Sequence, residues 1–257
     1  MLEWINQLPI LLLILVRLTA FFIAAPVFSM KGVPTHFKIG LGFFASLLVL
    51  TTVEQAPVEL DLFYIFLIIK ELFIGVSLGF IAGLILYTVQ VAGAFIDFQM
   101  GFAIANVVDP QTQAQVPIIG NFKYMLSILF LLSVDGHHLL LDGVMNSYRV
   151  LPLASMLPAV DSSGIAKFIA VTFAGMFAAA FQIALPIAGS LFLVDIALGI
   201  LARSVPQVNV FVVGLPLKIF IGFVTLLITL PTFFYLVQKI IKDMYITMGQ
   251  LIRLLGG

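Results

Sequence analysis

The sequence predicts an all-α membrane protein of long kinked helices and helical hairpins, and three observations carry that prediction. Hydrophobic residues make up 62% of the 257 positions and charged residues 9%. Globular chains carry about a quarter charged residues, so a soluble domain of this composition could not cover its surface. The apolar residues gather in runs at 8–28, 37–53, 62–96, 123–134, 166–200 and 217–238. One crossing needs about 20 apolar residues. Runs 62–96 and 166–200 exceed that by half and 123–134 falls short, which fits long bent helices packed on protein as well as lipid. Third, the breaks at 101–120 and 151–164 are made by Gly, Pro and small polar residues rather than by long charged loops.

Taken in order, the opening Met1–Trp4 lacks the basic region of a signal peptide, and Arg17, the first cation, already lies within an apolar run. The first segment is therefore expected to remain as a membrane helix. Loop 29–38 carries Lys31 and Lys38 without an acid and reads as cytoplasmic. Loop 54–61 carries Glu54, Glu59 and Asp61 without a base and reads as external. Run 62–96 contains Gly75, Gly79 and Gly83 at four-residue spacing, which lets helix backbones approach closely within the chain or between subunits.

The segment Gln99–Phe122 (QMGFAIANVVDPQTQAQVPIIGNF) is too polar and broken for a span, yet too apolar for an ordinary loop. LPLASMLPAVDSSG, 151–164, marks the best boundary, giving a unit over 1–160 and a helical hairpin over 161–257. The hairpin runs, 166–200 and 217–245, are joined by RSVPQVNVFVVGLPLK, an expected irregular loop from Arg203 to Lys218. Alternation puts that loop inside and the tail outside, but Lys239, Lys242 and Arg253 make the tail basic. The conflict marks the last helices as something other than ordinary lipid-exposed spans.

Arg17, Lys70, Glu71, Asp97 and Asp195 lie in or at the edge of apolar runs. Each costs about 2.5–3.5 kcal/mol at a helix centre, so each should have a partner or face water. Lys70 and Glu71 are neighbours about 100° apart on a helix and are not expected to face each other; their partners should lie on other helices or chains. No carboxylates recur at helical spacing as a proton relay would favour. In DGHHLLLD, Asp135, His138 and Asp142 share a helical face, but Gly136 reads as a helix end where these residues cap and solvate, so no metal is expected. There is no cysteine, net charge is zero, and no phosphate loop, nucleophile elbow or HExxH occurs. Enzymatic activity, a cofactor and nucleic-acid binding are not expected.

Six stretches together resemble the FliR/SctT family of type III secretion export-gate membrane proteins. They are KELFIGVSLGF (70–80), QVAGAFIDFQMGF (90–102), VDP (108–110), DGHH (135–138), ALPIAGSLFLVDIALGILAR (184–203) and PQVNVFVVGLPLK (206–218). The match to the flagellar FliR branch is nearer than to SctT, the virulence-system counterpart. The resemblance implies one copy assembled with five FliP and four FliQ subunits into a closed helical pore, with FlhB on the cytoplasmic side. It implies a FliP-like unit followed by a FliQ-like hairpin, and a bacterial inner-membrane gate displaced toward the periplasm.

It also implies that the central loop, about 101–120, plugs the pore. Gly101, Asp109 and Pro110 interrupt helix there, and Phe102, Ile104, Val107 and Val108 supply apolar groups for a dewetted constriction. Gly75, Gly79 and Gly83 become subunit-packing positions, and Pro206, Asn209, Phe211, Gly214 and Pro216 shape a partner-binding loop. The expected function is a non-enzymatic subunit of a flagellar protein-export gate with flagellar proteins as substrates. An ion-coupled small-solute transporter, the rival from another class, would draw on the intramembrane charges and the broken centre.

Overall fold

The computed structural model describes residues 2–30, 32–52, 58, 60–102, 117–156, 162–207 and 209–256. Within them the chain forms α1 (Leu2–Ala24), α2 (Thr35–Thr52), α3 (Leu62–Met100), α4 (Ile118–Ser133), α5 (Gly136–Val150), α6 (Ser162–Ser204) and α7 (Val210–Gly256), and no strand. Five of these helices are long and apolar enough to cross a membrane, or six spans if α4 and α5 count as one broken span. The protein is an all-α membrane protein.

Helices α3, α6 and α7 have 39, 43 and 47 residues. At 1.5 Å per residue they reach about 58, 65 and 70 Å, twice the roughly 30 Å hydrocarbon layer. Pro186 lies inside α6, and Pro216 and Pro231 inside α7, without ending them. Local chemistry fixes the starts. Asp61 Oδ1 accepts the N–H of Tyr64 at 3.0 Å and so caps α3. Asn209 Oδ1 accepts the N–H of Phe211 at 3.1 Å and caps α7.

The expected loop from Arg203 to Lys218 is therefore much shorter. Helix α6 runs to Ser204 and α7 begins at Val210, so Gly214, Pro216 and Lys218 are helical. The tip keeps Pro206 and Asn209, and Val208 lies outside the described residues.

The contacts divide the chain into two compact units, and the division passes through the long helices. Unit 1 comprises 1–85, 131–172 and 241–257; unit 2 comprises 86–130 and 173–240. In unit 1, α1 contributes Leu13, Ile14, Leu18, Phe21 and Phe22 to a fully buried core. Tyr64 on α3 donates to the Pro9 carbonyl at 2.8 Å, and Tyr148 on α5 to the Ile14 carbonyl at 3.3 Å. Glycines let the backbones close up. A Cβ at Gly79 would lie 2.7 Å from Ala24 Cβ and 2.8 Å from the Phe21 carbonyl, and one at Gly75 would overlap the Arg17 carbonyl. Gly83 sits at ordinary distance, 3.6 Å from the Ala24 carbonyl. In unit 2 the core is Ile96, Met100, Ile119, Ala184, Ile187, Leu191 and Leu226, and Gly93 meets the Gly120 backbone directly.

Candidate functional site

The sequence points to the segment after α3, and unit 2 is built around its two ends. Helix α3 finishes with Met100, which is fully buried and lies against Gly222 of α7, where a Cβ would meet the Met100 methyl at 2.7 Å. Gly101 then turns the chain with φ at +89°, a region in which side chains other than glycine's are strained. A Cβ there would also meet Leu215 at 2.8 Å. Phe102 packs on the unit 2 core.

The far end returns to the same helix. The Asp97 carboxylate, buried on α3, accepts the N–H of Ile119 at 3.1 Å and that of Gly120 at 3.2 Å. These are orphan donors of the first turn of α4, and the carboxylate charge complements the positive end of that helix. One side chain thus clamps residue 97 to residues 119 and 120. One turn earlier on α3, Gly93 lies directly against the Gly120 backbone, so the two helices close up beside the clamp.

A second polar cluster braces the neck. Gln99 Nε2 donates to Asp195 Oδ2 at 3.0 Å, and Lys218 Nζ lies 2.7 Å from Asp195 Oδ1. The end of α3 is thereby tied to α6 and α7. Lys218, which the sequence placed at the end of an irregular loop, is instead helical and the countercharge of Asp195.

Of the predicted plug residues, Gly101 and Phe102 stand at this neck. Ile104, Val107, Val108, Asp109 and Pro110 lie outside the described residues. Phe211 is 80% exposed at the start of α7, while Gly214 is buried against Leu198.

The remaining intramembrane charges meet in unit 1. Arg17 and Glu71 are fully buried and form a two-pronged pair, Nε with Oε2 and Nη2 with Oε1 at 3.0 Å. Arg17 also donates to Ser147 Oγ and to the Leu151 carbonyl, each at 2.9 Å, and stacks over the Tyr148 ring at 4.1 Å. Lys70 does contact Glu71, at 2.9 Å, contrary to the expectation from helix angles. Its long stem carries the ammonium round to a pocket of carbonyls, Pro152 at 2.8 Å, Leu153 at 3.0 Å and Ser155 at 2.8 Å, beside which Glu71 also points.

Sequence reasoning missed Ser147, Tyr148 and Lys123. Lys123 is 2% exposed and lies over the Phe233 ring at 4.9 Å. A lysine opening an apolar run was the available signal for it. Ser147 lies 130 residues from Arg17, and no local pattern connects them. The arrangement is that of charges locked by hydrogen bonds, which holds helices together and anchors a segment at both ends.

The family model of the bacterial export proteins, family 1, matches residues 8–244. The flagellar biosynthetic protein FliR of Bacillus subtilis (strain 168) is 46% identical over 253 residues, covering 98% of each chain. FliR of Escherichia coli (strain K12) is 30% identical over 223 residues, 86% of this chain and 84% of that one. The Yop proteins translocation protein T of Yersinia pestis is 30% identical over 211 residues, 80% of each.

Proposed function

The chain belongs to the bacterial export proteins, family 1, and from that premise we propose that it is a subunit of the flagellar type III protein export gate. In this reading it joins five FliP and four FliQ subunits in a protein-conducting pore of the inner membrane, within the flagellar basal body and displaced toward the periplasm. Residues 1–160 act as the FliP-like unit and 161–257 as the FliQ-like hairpin. FlhB docks on the cytoplasmic tip around Pro206, Asn209 and Phe211. The chain carries out no reaction of its own, and exported flagellar proteins are the substrates.

The carrying observation is the 46% identity to a flagellar FliR over 98% of both chains. The fold supports the assembly. Helix α7 leaves Phe220, Leu227, Ile228 and Tyr235 between 67% and 72% exposed, and helices of about 65 and 70 Å outrun a bilayer. Large apolar faces of that kind are covered by lipid or by other subunits. The anchored neck supports the plug, because a segment whose ends are clamped together can enter a lumen and return.

The 30% identity to a Yop translocation protein keeps a virulence-type gate as the second reading. The native mass of the complex purified in mild detergent tests the proposal. Copurification of two other small membrane proteins is expected; a monomer or homo-oligomer of this chain alone would overturn it.

A further inference from the structure

The break between α4 and α5 gathers three metal-ligating side chains. Asp135 is held in the left-handed region at φ 56°. Its N–H donates to the Leu132 carbonyl at 3.3 Å and its own carbonyl accepts the His138 N–H at 2.9 Å. Gly136 makes the bend possible, since a Cβ there would meet Leu131 Cγ at 2.8 Å. Successive helical side chains normally diverge, yet the rings of His137 and His138 lie 4.2 Å apart and 35° from parallel. One donor atom from each of Asp135, His137 and His138 lies within 4.8 Å of the others.

A second observation points the same way. His137 Nδ1 is buried and has no hydrogen-bond partner among the described residues, an unusual state for a buried polar atom. The grouping differs from that read in the sequence. Asp142 is excluded, because its carboxylate accepts the Tyr245 hydroxyl at 2.6 Å, and His137 takes its place.

We propose that Asp135, His137 and His138 form a zinc site at the α4–α5 break. Two imidazoles and one carboxylate suit zinc rather than calcium or magnesium. Bonds of about 2.0–2.2 Å to a tetrahedral ion put donors roughly 3.4 Å apart. Asp135 and His138, with side chains 76% and 69% exposed, are free to turn inward by the difference. Three protein ligands leave a coordination position for water or for a group from a neighbouring subunit. The ion would fix the angle at the break by bridging the residue that makes the turn to the first turn of α5.

The test uses the full chain, free of any histidine tag, in its purified complex after chelator treatment. Zinc is added and binding followed by calorimetry, with cobalt(II) as the spectroscopic probe. One saturable site per chain is expected, with tetrahedral cobalt bands in the visible. His138→Ala and Asp135→Asn should each weaken binding at least tenfold; the first residue is exposed, and asparagine retains the left-handed turn. His36→Ala, which removes the third histidine of the chain, should leave binding unchanged. Absence of a saturable site, binding that persists in the Asp135→Asn and His138→Ala double variant, or loss in His36→Ala would each overturn the proposal.

Discussion

Glu71 answers two cations at once, Arg17 from α1 and Lys70 from its own helix, with its own side chain fully buried. Breaking a buried pair by removing one partner costs about 3–5 kcal/mol, because the other charge stays buried and unpaired. Glu71→Ala is therefore expected to lower the thermal stability of the detergent-purified chain sharply and to deplete it from membranes. Replacing Arg17 and Glu71 together by methionine should cost less than the sum of the single changes, since no unpaired guanidinium or carboxylate remains. Additive losses would mean that the two do not act as a unit. That these charges needed partners was legible from their place in apolar runs. The identity of the partners was not. The Leu151, Pro152 and Ser155 carbonyls come from a stretch read only as a boundary, and a lysine stem is long enough to defeat an argument from helix angles.

Helices were legible as apolar runs, but their ends were not. Glycine and proline read as loop at 214 and 216, yet in a membrane helix neighbouring elements can make up for the lost backbone bond, and α7 runs through both. Asn209, not Gly214, sets the boundary, because its side chain caps the first turn. Of the three glycines at four-residue spacing, Gly75 and Gly79 lie close against α1, while Gly83 is at ordinary contact distance. Gly79→Leu should force α1 from α3, since even a Cβ would sit 2.8 Å from the Ala25 nitrogen. Loss of stability in the isolated chain and failed assembly are the expected results. Gly175 has nothing within 4 Å of a Cβ, so Gly175→Ala should leave the isolated chain as stable, or gain about 0.5–1 kcal/mol of helix preference. Equal behaviour of the two variants in thermal unfolding would count against glycine packing as the bond between α1 and α3.

At the scale of the whole gate, the proposed plug has to stop ions while export is idle, because even a narrow wetted path dissipates the membrane potential. Sealing rests on apolar side chains that give water no partners. Ile104, Val107 and Val108 should thus matter more than the glutamines beside them. Deleting 104–108, or placing Asp at Val107, is expected to let small ions leak through an otherwise intact complex. The clamp at the neck supplies a second arm. Asp97→Ala removes the acceptor for the Ile119 and Gly120 N–H groups. Each buried donor left unsatisfied costs about 1–3 kcal/mol, so the return end of the segment should loosen and a smaller leak appear. Both leaks require the proposed FliP and FliQ partners, since one chain is not expected to surround a lumen. Conductance of the purified complex in planar bilayers measures them, with native mass as the check on assembly. A complex that assembles correctly with 104–108 deleted and stays as tight as the parent would make the segment a connector between α3 and α4, and the clamp at Asp97 a purely structural cap.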